Sequence, residues 1–280
     1  MRRSAPPALV VGLMMITAAA ADAAIVNSLR GWSEKEQGWS GGIAGSYGAS
    51  GGNSPQSTFE GSGRLQLRAR DNVWRLLALG KRTTVQDVET ANAVLGHFRH
   101  NYLLSERWAT LAFLQYQRNP FQRLESRFLL GLGGRWLAAE NEKTRFYLGA
   151  AQMWEQEEIQ DQDGEEKAQR LSTFVSAESK LIDDVGLDFL VFYQPRWSDF
   201  KDWRMFAEIE LTVELTGSLS LFTGYRWQHD ATPPEGVEKT DWDTKTGFAF
   251  KFLGYKKAPV QDPGPVSVKI RSSRRSVRPS

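Results

Sequence analysis

The sequence holds few residues of the kinds that run reactions. Its three histidines, His97, His100 and His229, are too scattered to suggest a metal centre. His97 and His100 stand three apart, which on a strand puts them on opposite faces. Cysteine is absent, which removes disulfides, thiolate ligands and cysteine nucleophiles together. A serine hydrolase would need a hydroxyl within hydrogen-bond reach of a base, and no serine here sits in a nucleophile motif. An acidic run, Glu155, Glu157, Glu158, Asp161, Asp163, Glu165 and Glu166, offers oxygen ligands for a hard cation around Gly164. Calcium-loop spacing is not met, so the run reads as a solvated loop. No catalytic residue, cofactor site or metal ligand is assigned, and no cofactor is expected. What remains is electrostatic chemistry. Arg64, Arg68, Arg127, Arg135, Glu208, Glu210 and Lys245 recur at alternate positions of apolar stretches. On the inner wall of a barrel they would line a pore and set its ion selectivity, or pair across the lumen and plug it.

The elements that carry these charges repeat with period two. Trp203, Met205, Ala207, Ile209, Leu211, Val213 and Leu215 fall on one face, and Arg204, Glu208, Glu210, Thr212 and Glu214 on the other, joined by Phe206. Phe59, Gly61, Gly63, Leu65 and Leu67 oppose Glu60, Ser62, Arg64, Gln66 and Arg68. A helix would recur every three or four residues instead. About twelve such strands are expected, at 38–48, 56–70, 73–82, 90–102, 106–117, 124–138, 143–156, 168–182, 185–195, 203–215, 218–229 and 241–252. Most exceed the roughly 9–11 residues that a tilted strand needs to cross hydrocarbon. Connections alternate between short turns and longer loops, the longer ones being 49–55, 83–89, 118–123, 157–167, 195–202 and 230–240.

Alternation alone also fits a soluble β-protein. Two features favour a membrane barrel. Twelve strands enclose a lumen too wide for a dry core, and the polar face carries full charges. Aromatics also gather near strand ends, as expected of girdles at the two membrane interfaces. Trp39, Trp108 and Trp136, with Tyr102 and Phe252, mark one end; Trp154, Trp203, Trp227 and Trp242, with Phe59, Tyr116 and Tyr193, mark the other. The expected fold is an all-β, transmembrane, antiparallel up-and-down β-barrel of about twelve strands.

Residues 1–23 read as a cleaved secretory signal: Arg2 and Arg3, an apolar run over 8–21, and Ala21-Asp22-Ala23 before the cut. Residues 24–37 form a lead-in and 38–252 the barrel. The remainder, 253–280, is a basic tail rich in proline and serine, with the composition of a disordered segment. An even strand number puts both termini in the periplasm.

Beyond these patterns the chain resembles a family. The stretch GYRWQHDATPPEGVEKTD over 224–241, the opening Gly38-Trp39-Ser40-Gly41 before a Gly/Asn/Ser-rich loop, and Leu104-Ser105-Glu106-Arg107-Trp108 resemble the YdiY-like salt-induced outer-membrane proteins. That resemblance implies an outer-membrane barrel with no assigned activity. One departure is the basic tail after Phe252, where such barrels commonly end on an aromatic.

The expectation is therefore a monomeric, non-enzymatic outer-membrane barrel, acting as a narrow pore or as a structural envelope component. Its partners would be outer-membrane lipid, lipopolysaccharide and the barrel assembly machinery, not nucleic acid. The alternatives are a secreted soluble β-barrel or sandwich that binds a small apolar ligand, and, third, an outer-membrane enzyme.

Overall fold

The computed structural model describes residues 37–50 and 55–253. The signal, most of the lead-in and all but the first residue of the tail lie outside them. Twelve strands follow one another: β1 (Gly38–Ser50), β2 (Gln56–Ala69), β3 (Asn72–Val85), β4 (Val88–Leu103), β5 (Trp108–Asn119), β6 (Leu124–Glu140), β7 (Thr144–Ile159), β8 (Glu165–Ile182), β9 (Val185–Arg196), β10 (Asp199–Glu214), β11 (Leu219–Asp230) and β12 (Thr240–Leu253). Each pairs antiparallel with its sequence neighbours, and β1 pairs with β12 to close the barrel. Ser40 lies opposite Leu253, so the chain returns to the end it left. This is the terminal end of the barrel, and the opposite one is the far end.

The facing follows the alternation. Along β10, Arg204, Phe206, Glu208 and Glu210 are buried inside, while Ile209 is 43% exposed on the outer wall. Outward aromatics form two bands. Trp39, Tyr102, Trp108 and Phe252 are exposed toward the terminal end, and Trp108 stacks on the half-buried Trp136 at 5.7 Å. Toward the far end, Tyr116 meets Phe128, Tyr193 meets Trp203 and Tyr225 meets Trp242. Phe59 and Trp154 are exposed in that band, and Trp227 stacks near His229.

The far-end loops are shorter than the sequence suggested. The 83–89 connection is a two-residue hairpin turn, with Gln86 and Asp87 at φ 51° and 62°. Both strands run through residues read as loop. The 195–202 connection shrinks to Trp197 and Ser198, and the 118–123 connection holds a single 3-10 turn, Pro120–Gln122. The reason is physical. Strands of up to 18 residues outrun the hydrocarbon, and beyond it both faces meet water. Alternation fades there although pairing continues. Among the described residues only 231–239 remains a long connection.

Three inward phenylalanines lie flat on the wall. Phe113, Phe174 and Phe222 stand opposite Gly131, Gly149 and Gly247 on the neighbouring strand. In each pair a Cβ on the glycine would collide with the ring. The missing side chain makes room for a ring that would otherwise project into the lumen.

The facing sets an expectation. Ile209→Arg puts a cation on the lipid face and should cost about 2–4 kcal/mol of folding free energy in a bilayer. Ser62→Arg, at a half-buried inward site, should change stability by less than about 1 kcal/mol, since lumen positions tolerate charge. Equilibrium urea titration into liposomes would measure both, and equal losses would contradict the facing.

Candidate functional site

The site to be understood is the barrel interior. Its far half is built around Arg204 on β10. The guanidinium reaches Glu155 at 2.6 Å and Glu157 at 2.9 Å, both on β7, and Asp230 on β11 at 2.8 Å. Arg170 on β8 bonds Glu155 at 3.2 Å and takes both oxygens of Asp202 at 2.9 and 3.2 Å. Arg127 on β6 donates to Glu157 at 2.5 Å. Arg170 is only 2% exposed. Buried charges of this kind persist only when paired and hydrogen-bonded, and here each arginine bonds at least one carboxylate.

The acidic run read from the sequence as one solvated loop is therefore divided. Glu155 and Glu157 belong to β7, which continues to Ile159, and their side chains are buried inside. Glu158, Asp161, Asp163, Glu165 and Glu166 stay exposed. Strand parity was the signal available for this: Glu155 and Glu157 share the parity of Tyr147, Ala151 and Met153. Among the described residues, no three His, Asp or Glu side chains are grouped as a metal would require.

Toward the terminal end the interior becomes apolar. Leu111, Leu137, Tyr147, Phe174, Leu190, Phe192 and Phe206 form one buried cluster with Phe113 packed against it. Arg99 on β4 lies over the Phe174 ring of β8 at 5.6 Å, and Arg135 lies over Tyr147 at 4.6 Å. Contact between β4 and β8 spans the lumen. His97 is buried here, stacked on Phe113 and bonded to Gln115 at 2.9 Å. His100 faces outward, stacked on Trp74 and bonded to Asn72. His229 stacks on Trp203 and bonds Thr240. The three histidines thus stand in three separate settings.

The opposite wall differs. The inward residues of β1 are Ser40, Gly42, Ala44, Ser46 and Gly48, too small to reach across. Beside them Glu60, Arg64, Arg68, Arg226, Asp243 and Lys245 are half-buried instead of enclosed. Arg226 pairs with Asp243 at 2.7 Å, and Lys245 pairs with Glu60 across the inner side of β1. The lumen is thus packed along β3–β10 and looser along β12, β1 and β2, while β11 is intermediate, with Ser220, Phe222 and Gln228 buried and Arg226 half-buried.

All seven residues expected to line the lumen face inward: Arg127, Arg135, Glu208 and Glu210 are buried, and Arg64, Arg68 and Lys245 are half-buried. The sequence reading missed Arg75 and Arg99, which stand directly opposite each other on β3 and β4. Like charges in that position repel. Gln66 accepts from Arg75 at 3.0 Å and Asn101 from Arg99 at 3.1 Å. In the closed strand order β2–β4 lie four to six strands from β10, so their arginines stand across the lumen from Glu208 and Glu210.

A family profile described as "Protein of unknown function, DUF481" matches residues 44–252. The chain belongs to the DUF481 family. The matched span takes in all of the barrel of this DUF481 chain except the first six residues of β1 and the last of β12. No curated protein matches it. Among solved structures, the NanC porin superposes with a TM-score of 0.50 at 11% identity, covering 76% of this chain and 100% of that one. An outer-membrane channel from Pseudomonas putida F1 superposes with a TM-score of 0.51 at 10% identity, covering 78% and 96%. At these identities the likeness is one of fold: both are outer-membrane barrels.

The network around Arg204 generates a prediction. Arg204→Ala leaves Glu155, Glu157 and Asp230 short of a partner inside the wall and should cost about 3–5 kcal/mol. Arg204→Lys keeps the charge without the forked geometry and should cost less. Unfolding of the lipid-reconstituted protein in urea would read both. A loss below about 1 kcal/mol for Arg204→Ala would mean that the cluster is solvated instead of structural.

Proposed function

We propose that this DUF481 chain is an outer-membrane channel protein with a narrow, off-centre passage for small charged solutes. The observation that carries the reading is the asymmetric lumen. A wall of small residues on β1, flanked by half-buried charges, faces an interior packed by ion pairs and aromatic rings. A purely structural barrel would gain stability from packing on all sides, whereas the small β1 residues keep one side unfilled.

On this reading Arg64, Arg75 and Arg99 on one wall and Glu208 and Glu210 on the other set up a field across the passage. Such a field orients dipolar solutes and discriminates between ions. The Arg204 network and the aromatic cluster narrow the lumen and stiffen the wall. The far end is outside the cell and the terminal end in the periplasm, after export by the signal over residues 1–23. The two aromatic bands sit at the lipid and lipopolysaccharide interfaces, and the protein acts as a monomer without cofactor. The finer resemblance to the YdiY-like group belongs to the same reading. So does a role without chemistry.

The experiment is single-channel recording of the refolded mature protein in planar bilayers. The expected result is discrete conductance steps. Arg64→Glu and Arg99→Glu should each raise the cation-to-anion permeability ratio several-fold, and Glu210→Lys should lower it. A bilayer that stays silent with demonstrably folded protein would overturn the channel reading. Permeability ratios indifferent to all three changes would remove the transverse field from it.

A further inference from the structure

The wall is not closed evenly. β1 pairs with β2 along its full length, from Gly38 opposite Arg68 to Ser50 opposite Gln56. Against β12 it pairs only over Ser40–Gly45, opposite Phe248–Leu253. β12 itself continues against β11 as far as Thr240, opposite His229. Residues 46–50 of β1 and 240–247 of β12 therefore carry a ladder on one side only. Continued ladder would set Tyr47 opposite Thr246 and Gly48 opposite Lys245. The closing seam is zipped at the terminal end and parted toward the far end.

Unpaired backbone N–H and C=O groups facing hydrocarbon are strongly disfavoured, which is why membrane barrels close. A parted seam is tolerated where water or a polar group reaches the strand edges. Here the inner side of the gap is charged. Lys245 and Asp243 lie on the edge strand, bound to Glu60 and Arg226 just inside. The outer side belongs to the membrane belt: Tyr47 is 72% exposed and Trp242 54%. Ser46 and Gly48 put nothing bulky between the two. A balanced charged cluster inside, an aromatic apolar rim outside and a gap one strand-edge long match a molecule with a charged head and one alkyl chain.

The route through the far mouth is bridged. The 231–239 connection crosses from β11–β12 to the β5–β6 turn. Arg123 donates to the Glu235 carbonyl at 2.7 Å and Gln122 to Asp241 at 3.0 Å. The buried Leu124 and Ile159 line one cavity with Pro233, Pro234 and Val237 of this strap.

We propose that the β1–β12 seam is a lateral portal, through which a single-chain amphiphile with a charged head passes between the lumen and the surrounding leaflet. The proposal rests on the channel reading for the lumen end of that route. The head exchanges onto the Glu60, Arg226, Asp243 and Lys245 cluster while the chain stays between Tyr47 and Trp242.

The chain has no cysteine, so the seam can be locked by a single engineered disulfide, Ala49→Cys with Thr244→Cys, which a continued ladder would set opposite each other and which leaves Tyr47 and Trp242 in place. The reduced double variant serves as its own control. In liposomes, oxidation should lower binding of a dansyl-labelled undecanoate by about tenfold and leave potassium chloride conductance unchanged. Equal binding in both states overturns the portal. Seam-dependent binding without any conductance retains the portal and removes the channel reading. If the thiols do not join, hydrogen exchange of the unaltered protein in lipid nanodiscs decides: amides of 46–50 should exchange about tenfold faster than those of 40–45, and equal protection overturns the proposal. A dimer cross-linked through Tyr47→Cys alone would give the edge to a second copy of the chain, and also overturns it.

Discussion

Arg204 holds three strands together from the inside. Its bonds to Glu155, Glu157 and Asp230 tie β10 to β7 and β11, and shared carboxylates extend the tie to Arg127 and Arg170. A ring of twelve strands is too wide to be filled by a dry core. Inward side chains must then meet water or meet each other. Along β3–β10 they meet each other, and the cluster of Phe174, Phe192, Phe206 and Tyr147 is packed because that half of the lumen is drawn together. The aromatic rings, the glycines beneath them and the loose wall opposite all follow from this one-sided cross-linking.

The same cross-linking accounts for the open side. Buried ion pairs hold their partners only at close range and with good geometry. The network can therefore span strands up to three places apart, as Arg204 on β10 does to β7, but not the whole perimeter. β1 contributes no charge inward and only small side chains. It stands apart from the network, and its ladder to β12 is the shortest in the barrel among the described residues. Stability concentrated on one wall leaves the opposite wall to carry passage.

Much of the fold was legible because membrane and lumen impose opposite polarities on alternate residues. Ile209 and Glu208 can be assigned to their faces from the sequence alone, and so can Arg64, Arg127 and Lys245. The interior was less legible, for two reasons. Strands run past the hydrocarbon, so the acidic run from Glu157 onward looks like a loop although β7 continues to Ile159. Inward phenylalanines also break the rule that apolar means outward. Phe206 stands between Arg204 and Glu208, and only the register, which brings Phe174 opposite Gly149, explains how such rings fit. The strap over 231–239 and the parted seam are long-range facts. No local pattern in Pro233-Pro234 says that the segment reaches Arg123 on the opposite wall.

The asymmetric lumen is tested most directly by scanning single cysteines around the inner wall at one depth, since the chain has none of its own. Reconstituted in liposomes, each would be titrated with a water-soluble maleimide. Ala44→Cys, Ser62→Cys and Ala249→Cys should react at rates near those of a free thiol. Ala151→Cys and Ser176→Cys should react at least about a hundredfold more slowly, in keeping with local opening of a packed wall. Uniform reaction around the ring would mean an evenly hydrated lumen, and uniform protection a filled one; either would contradict the one-sided passage.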